Sequence, residues 1–181
     1  MARSRGLKTV PTAEELLAGG AGAPALEVQP VTFADVGGLT ESVVVAEGDW
    51  WRLSWNRHKT PLPPDAHGPA LAWMSDGHMV NVVKKPHGSE NFGMSMSLDH
   101  SIHFHRPFRA DEWLLFHMRT TVSSGSRGLA RTEIFSSQGH LVATVTQEAL
   151  VRPKQRTGAT PGLPVKVATG SDQWLTAKAK L

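Results

Sequence analysis

The stretch Ala70-Leu71-Ala72-Trp73-Met74-Ser75-Asp76-Gly77-His78-Met79-Val80-Asn81-Val82-Val83 decides the fold. Ala70, Leu71, Trp73, Met74, Met79, Val80, Val82 and Val83 make it too apolar for a surface helix, so the spacing predicts a helix buried on much of its circumference. Pro61-Leu62-Pro63-Pro64-Asp65 breaks the chain before it, and Lys84-Lys85-Pro86-His87-Gly88 ends it. Four strands are expected after it: Met94 to His105, Trp113 to Val122, Leu129 to Ser137 and Leu141 to Val151. Ser124-Gly125-Ser126-Arg127-Gly128 and Ser137-Gln138-Gly139-His140 read as the hairpin turns between the last three. A long buried helix followed by an antiparallel meander is an α+β layout, with the sheet wrapped around one helix.

Within the first of these strands, Ser97 to His105 alternates. Ser97, Asp99, Ser101, His103 and His105 are polar, whereas Leu98, Ile102 and Phe104 are apolar and His100 is the exception. Period two predicts one wet and one dry face. In the second strand Leu114, Phe116, Met118 and Val122 share a face. Upstream, Trp50 to Trp55 alternates around Trp51, Leu53 and Trp55, and Leu26 to Val31 reads as a short strand that opens the folded part. The folded region is therefore expected over 26–153, behind a flexible arm over 1–25. In the arm, Thr12 can cap a short helix with Glu15 as its box partner. Glu14 and Glu15 also argue against a basic transit peptide. A linker rich in Pro, Gly, Lys and Thr is expected over 153–170, and Ser171 can cap a last short helix in the tail, 154–181.

The bulk numbers bound the function. The 181 residues suit one domain with tails, and 40% hydrophobic content supports a core. No run approaches the ~18 apolar residues that a membrane span needs. With no cysteine, the chain has no disulfide framework, thiolate nucleophile or zinc–thiolate site. The net charge of +3 suits a solvated surface or a phosphorylated anionic ligand. No basic block is interleaved with stacking aromatics, which argues against nucleic acid.

Three polar residues break their local patterns. Asp76 is a carboxylate within the apolar helix, which is expensive unless paired or on a narrow solvent-facing stripe. Its neighbour Gly77 leaves room for a ligand to approach the backbone, at ~1 kcal/mol of helix propensity. Gln147 shares the parity of Leu141, Ala143, Val145, Ala149 and Val151, so its amide lies on the dry side. It is either a core amide satisfied by backbone or an amide aimed into a pocket. Ser97 lacks a Gly-x-Ser-x-Gly elbow, which argues against a nucleophile and leaves a hydrogen-bonding or a merely solvated serine. His103 and His105, with Asp99 nearby, have the composition of a 2-His-1-carboxylate set. Nothing else in the sequence supports a metal there, and none is expected.

These segments resemble the acyl-CoA thioesterase II family, double hot-dog enzymes that hydrolyse fatty acyl-CoA thioesters. The likeness lies in Ala72-Trp73-Met74-Ser75-Asp76, Ser97-Leu98-Asp99-His100-Ser101 and Val145-Thr146-Gln147-Glu148. It continues through Ser101 to Phe108, Trp113-Leu114-Leu115, Ser126-Arg127-Gly128 and Leu141-Val142-Ala143. The resemblance implies a single hot-dog fold matching the family's second half, with Asp76, Ser97 and Gln147 as the catalytic group. Ser97 stands where the family more often has Thr. It further implies a homodimer or higher homo-oligomer, since hot-dog sites form between halves, and no cofactor beyond the CoA of the substrate. On this reading Asp76 activates a water that Ser97 and Gln147 hold in line with the thioester carbonyl. Backbone N–H groups near a helix N-terminus would stabilise the oxyanion. Lys84, Lys85, Arg106, Arg109 and Arg127 are the candidates for the CoA phosphates. Two alternatives stand beside hydrolysis: a hot-dog dehydratase or isomerase, and a non-catalytic acyl-CoA binding module. The terminal Ala179-Lys180-Leu181 is a conservative variant of the peroxisomal Ser-Lys-Leu address, so the expected location is peroxisomal, otherwise cytoplasmic.

Overall fold

A computed structural model describes residues 38–154 and the backbone of 166–167. The expected Thr12 helix, the Leu26–Val31 strand, the Ser171 helix and the Ala179-Lys180-Leu181 signal lie outside the described residues.

The chain runs β1 (Thr40–Gly48), β2 (Trp51–His58), α1 (His67–Lys84), two short 3-10 turns, β3 (Phe92–Ser97), β4 (Ser101–Phe104), β5 (Leu114–Ser124), β6 (Arg127–Ser136), β7 (Leu141–Pro153) and β8 (Lys166–Val167). The strands form one antiparallel sheet in the order β1-β2-β5-β6-β7-β3, with β4 also on β7 and β8 on β5. After β2 the chain traverses the sheet through α1 and enters the opposite edge as β3. One helix held in an antiparallel sheet is the hot-dog fold.

Helix α1 begins after the Pro61–Asp65 break, with Pro69 in its first turn where a missing N–H costs no helical bond. It gives way at Lys85–His87 to a 3-10 turn ended by Gly88 at φ 79°. Its buried residues are His67, Leu71, Met74, Ser75, Met79, Val82 and Val83, a stripe at helical spacing. The stripe packs on Leu114, Phe116 and Met118 of β5, Ala130 and Ile134 of β6, and Ala143, Val145, Ala149 and Val151 of β7. Burial is thus confined to one face, narrower than the sequence suggests. Trp73, Asp76 and Gly77 are exposed.

Three bulges shift the faces from those expected. In β5 the register slips between Thr120 and Val122, so Val122 pairs with the exposed Leu129 and leaves the face of Leu114, Phe116 and Met118. In β7 a slip puts Val142 in the core and leaves Leu141 half-buried. The third splits the expected Met94–His105 strand into β3 and β4. Ser97 opposes Ala149, but Ser101 opposes Thr146, one residue out of step. The parity therefore inverts. Ser97 faces the helix from an odd position, whereas Ile102, opposite Val145, packs against the core from an even one. The single wet face running from Ser97 to His105 does not exist.

Two further differences concern the ends. Strand β1, which the sequence reading passed over, pairs with β2 from Thr40 to Gly48. The backbone of Lys166 and Val167, expected within a linker, pairs with Ser123 and Val122. The turn after β5 has Gly125 at φ 57° and Ser126 at φ 65°, the paired positive values of a type I′ hairpin.

Candidate active site

Asp76 sits on the exposed side of α1, Ser97 ends β3 and Gln147 lies mid-β7. The fold brings all three together. Ser97 Oγ donates to Asp76 Oδ1 at 2.7 Å. Gln147 Nε2 donates to Ser97 Oγ at 2.7 Å and also to Asp76 Oδ1. Gln147 is fully buried, whereas Asp76 and Ser97 are exposed. The Gln147 amide is thus not satisfied by backbone: its two N–H bonds converge on the other two residues. Its Oε1 is buried without a hydrogen-bond partner among the described residues.

The donor arithmetic closes. Ser97 gives its one proton to Asp76 and accepts one from Gln147. Asp76 Oδ1 receives two hydrogen bonds, leaving Oδ2 of an exposed carboxylate for a water or ligand. Trp73, 39% exposed one turn earlier on the helix, offers an apolar wall beside it.

The five basic candidates do not converge on this triangle. Lys85 Nζ pairs with Glu47 at 3.0 Å at the end of the helix, and Glu47 also pairs with Arg52. Burial holds the Lys84 amine below its usual range. Arg109 is tied to Asp111 at 2.7 Å and to Glu112 at 3.3 Å. Arg127 lies 3.5 Å from Glu148 on the outer face. Arg106 lines a surface recess of about 320 Å³ with Phe108, Trp113, Leu114, His140 and Val142, and that recess contains none of Asp76, Ser97 and Gln147. His103 and His105 remain on one face, with His105 Nε2 2.8 Å from Thr144 Oγ1. Among the described residues no group of three or more His, Cys, Asp or Glu is arranged to hold a metal.

A polar cluster beneath the helix escaped the sequence reading. Strand β2 turns Arg52, Ser54, Asn56 and His58 inward, all buried. Asn56 Nδ2 donates to Ser54 Oγ at 2.9 Å, Ser42 Oγ donates to Asn56 Oδ1, and His78 Nε2 lies 3.4 Å from Ser42 Oγ. Burial, with a smaller contribution from the Arg52 charge, lowers the His78 pKa to about 4, so it is neutral at pH 7. The alternation around Trp51, Leu53 and Trp55 was the available signal, since it puts polar residues on the other face.

One helix held in a single antiparallel sheet places the protein in the class of hot-dog proteins. The Acyl-CoA thioesterase family model matches residues 39–150, and the chain belongs to that family. It is 41% identical over 106 residues to acyl-CoA thioesterase 2 of Haemophilus influenzae, a match covering 56% of this chain and 37% of the relative. It is 37% identical over 91 residues to acyl-coenzyme A thioesterase 8 of Rattus norvegicus, covering 50% and 28%. The solved structure of acyl-CoA thioesterase II TesB2 from Mycobacterium marinum superposes with a TM-score of 0.63 at 30% identity, covering 86% of this chain and 60% of that one. The matched regions thus span 37% and 28% of these curated relatives' length.

Proposed function

We propose that the protein hydrolyses acyl-CoA thioesters to the free acid and CoA, with Asp76, Ser97 and Gln147 as its catalytic group. The observation that carries this is the closed triangle on an exposed Asp76, whose Oδ2 takes no part in its hydrogen bonds. Asp76 takes a proton from a water, the water oxygen attacks the thioester carbonyl, and the C–S bond breaks as the CoA sulfur takes up the proton. Ser97 and Gln147 hold the carboxylate in one orientation, which is a positioning contribution. No covalent acyl-enzyme is required.

The oxyanion needs donors from elsewhere. The N-terminus of α1 lies nine residues before Asp76, about 14 Å at 1.5 Å per residue. A second hot-dog would supply them, and a second copy of this chain is one source of it. Trp73 and the apolar faces nearby would line the acyl channel. The scattered positions of Lys84, Lys85, Arg106, Arg109 and Arg127 favour a few of them, not the set, as phosphate contacts.

The test is thiol release from acyl-CoAs of graded chain length, with wild type, Asp76→Asn and Gln147→Ala. Wild type is expected to release thiol, and each variant to lose about 100-fold or more in kcat. Acyl-CoA binding without release would instead identify a binding module. Neither binding nor release would point to a dehydratase or isomerase.

A further inference from the structure

The bulge between β3 and β4 stands opposite Gln147 and reaches the neighbours of all three triangle residues. Leu98 N–H donates to the Glu148 carbonyl at 2.8 Å, and Ser101 opposes Thr146. Asp99 and His100 therefore share the space across from the single residue Gln147. In an unbroken ladder Glu148 N–H would bond to the Leu98 carbonyl. Here it donates to Asp99 Oδ1 at 2.7 Å. His100 Nε2 lies 3.0 Å from Ser75 Oγ on α1. Ser75 is fully buried and donates its proton to the Ala72 carbonyl at 3.0 Å. Its oxygen is therefore the acceptor, and His100 Nε2–H is the donor.

The sequence neighbours make this arrangement specific. Ser75 precedes Asp76, Glu148 follows Gln147, and Ser97 is two residues before Asp99. The bulge also lets Ser97 and Ile102 both face the helix, which unbroken alternation forbids. We propose that Asp99 and His100 are positioning residues: Asp99 fixes the height of Gln147 on β7, and His100 fixes the distance of Asp76 from the strand. Their side-chain hydrogen bonds go to Glu148 and Ser75, and not to the triangle residues. The inference deepens the hydrolytic reading above and rests on it for its kinetic consequence.

The kinetic arm compares Asp99→Ala and His100→Leu with Asp99→Asn and His100→Gln, which retain the acceptor and the donor. The first pair is expected to lose about 10- to 100-fold in kcat with KM within about twofold, and the second pair to stay within about threefold of wild type. Equal losses in the conservative and non-conservative variants, or a rise in KM at constant kcat, would overturn the proposal. Asp99→Glu, which keeps the charge and displaces the oxygen, serves if Asp99→Ala does not fold, and the same loss is expected of it. A second arm needs no turnover. The Gln147 side-chain amide NMR signals, assigned by their absence in Gln147→Ala, are expected to move in Asp99→Ala and His100→Leu and to stay in Asp99→Asn and His100→Gln. Signals unmoved in all four overturn the proposal. Moved signals in a protein that releases no thiol would leave the positioning intact and fault the hydrolytic reading alone.

Discussion

At the scale of single residues, Gln147 carries an unusual cost. Its amide is fully buried on β7, and its Oε1 has no partner among the described residues. An unsatisfied buried polar atom costs on the order of 1–3 kcal/mol. Gln147→Met, of similar length, removes that atom and fills the same space. It is expected to leave the melting temperature unchanged or raised while kcat for thiol release falls about 100-fold, an exchange of stability for function that calorimetry and the thiol assay check together. His78 gives a second residue-level outcome. Its native pKa is lowered from 6.5 to about 4. As pH falls below the unfolded value, the unfolded chain takes up a proton that the native state refuses. Stability is therefore lost on acidification between those two values, by about 2 kcal/mol from near pH 7 to about pH 5. Urea titrations of wild type and His78→Gln should show that loss only in the wild type. Gln147 was legible in the sequence because it is polar among apolar positions of its own period, whereas Asp76 stood out as a carboxylate in a buried helix and in fact lies on that helix's exposed side. The inward polar face of β2 was not, because alternation identifies two faces without saying which one turns toward the helix.

At the scale of elements, the helix and its docking were the most legible part. The apolar stretch between Pro64 and Gly88 has the length, breaks and spacing of one buried helix. Its close approach to the sheet depends on Gly128 of β6. A Cβ there would collide with Val83 and lie 3.0 Å from the Val122 carbonyl. Gly128→Ala is expected to destabilise the fold by about 1–3 kcal/mol, as overpacking does, read as a lowered urea midpoint at unchanged slope. The break between β3 and β4 was illegible for a physical reason. Ser97 is polar although it faces the helix, whereas Ser101 and His103 are polar and exposed, so the sequence alternates straight through a break that swaps the faces and Ser97 to His105 still reads as one strand. Only the partner strand reveals that the parity inverts, and no local pattern carries that information. Strand β1 was missed for a related reason. Val43 to Ala46 is a short apolar run without strict alternation, which periodicity does not separate from other buried segments.

At the scale of the whole molecule, the sheet ends on a strand that is poorly protected. Strand β3 pairs with β7 on one side and with no strand on the other among the described residues. On its outward side Met94, Met96 and Leu98 are 46%, 48% and 45% exposed, and Phe104 of β4 is 51% exposed while stacked on Phe108 at 5.7 Å. Exposed apolar side chains along an open edge invite a second strand. The triangle lies at the same edge, because Ser97 is the last residue of β3. A second copy seated along β3 would cover these side chains and bring new backbone donors toward Asp76, which α1's own N-terminus does not supply. Sedimentation of the wild type is therefore expected to show a dimer or larger assembly across micromolar concentrations. Met96→Lys, whose side chain points away from the triangle, is expected to shift it toward monomer and to cut thiol release with the loss of assembly. Its melting curve, extrapolated to low protein concentration, should match the wild type. A monomeric wild type with full thiol release would show that one hot-dog suffices, and that the oxyanion donors lie within this chain.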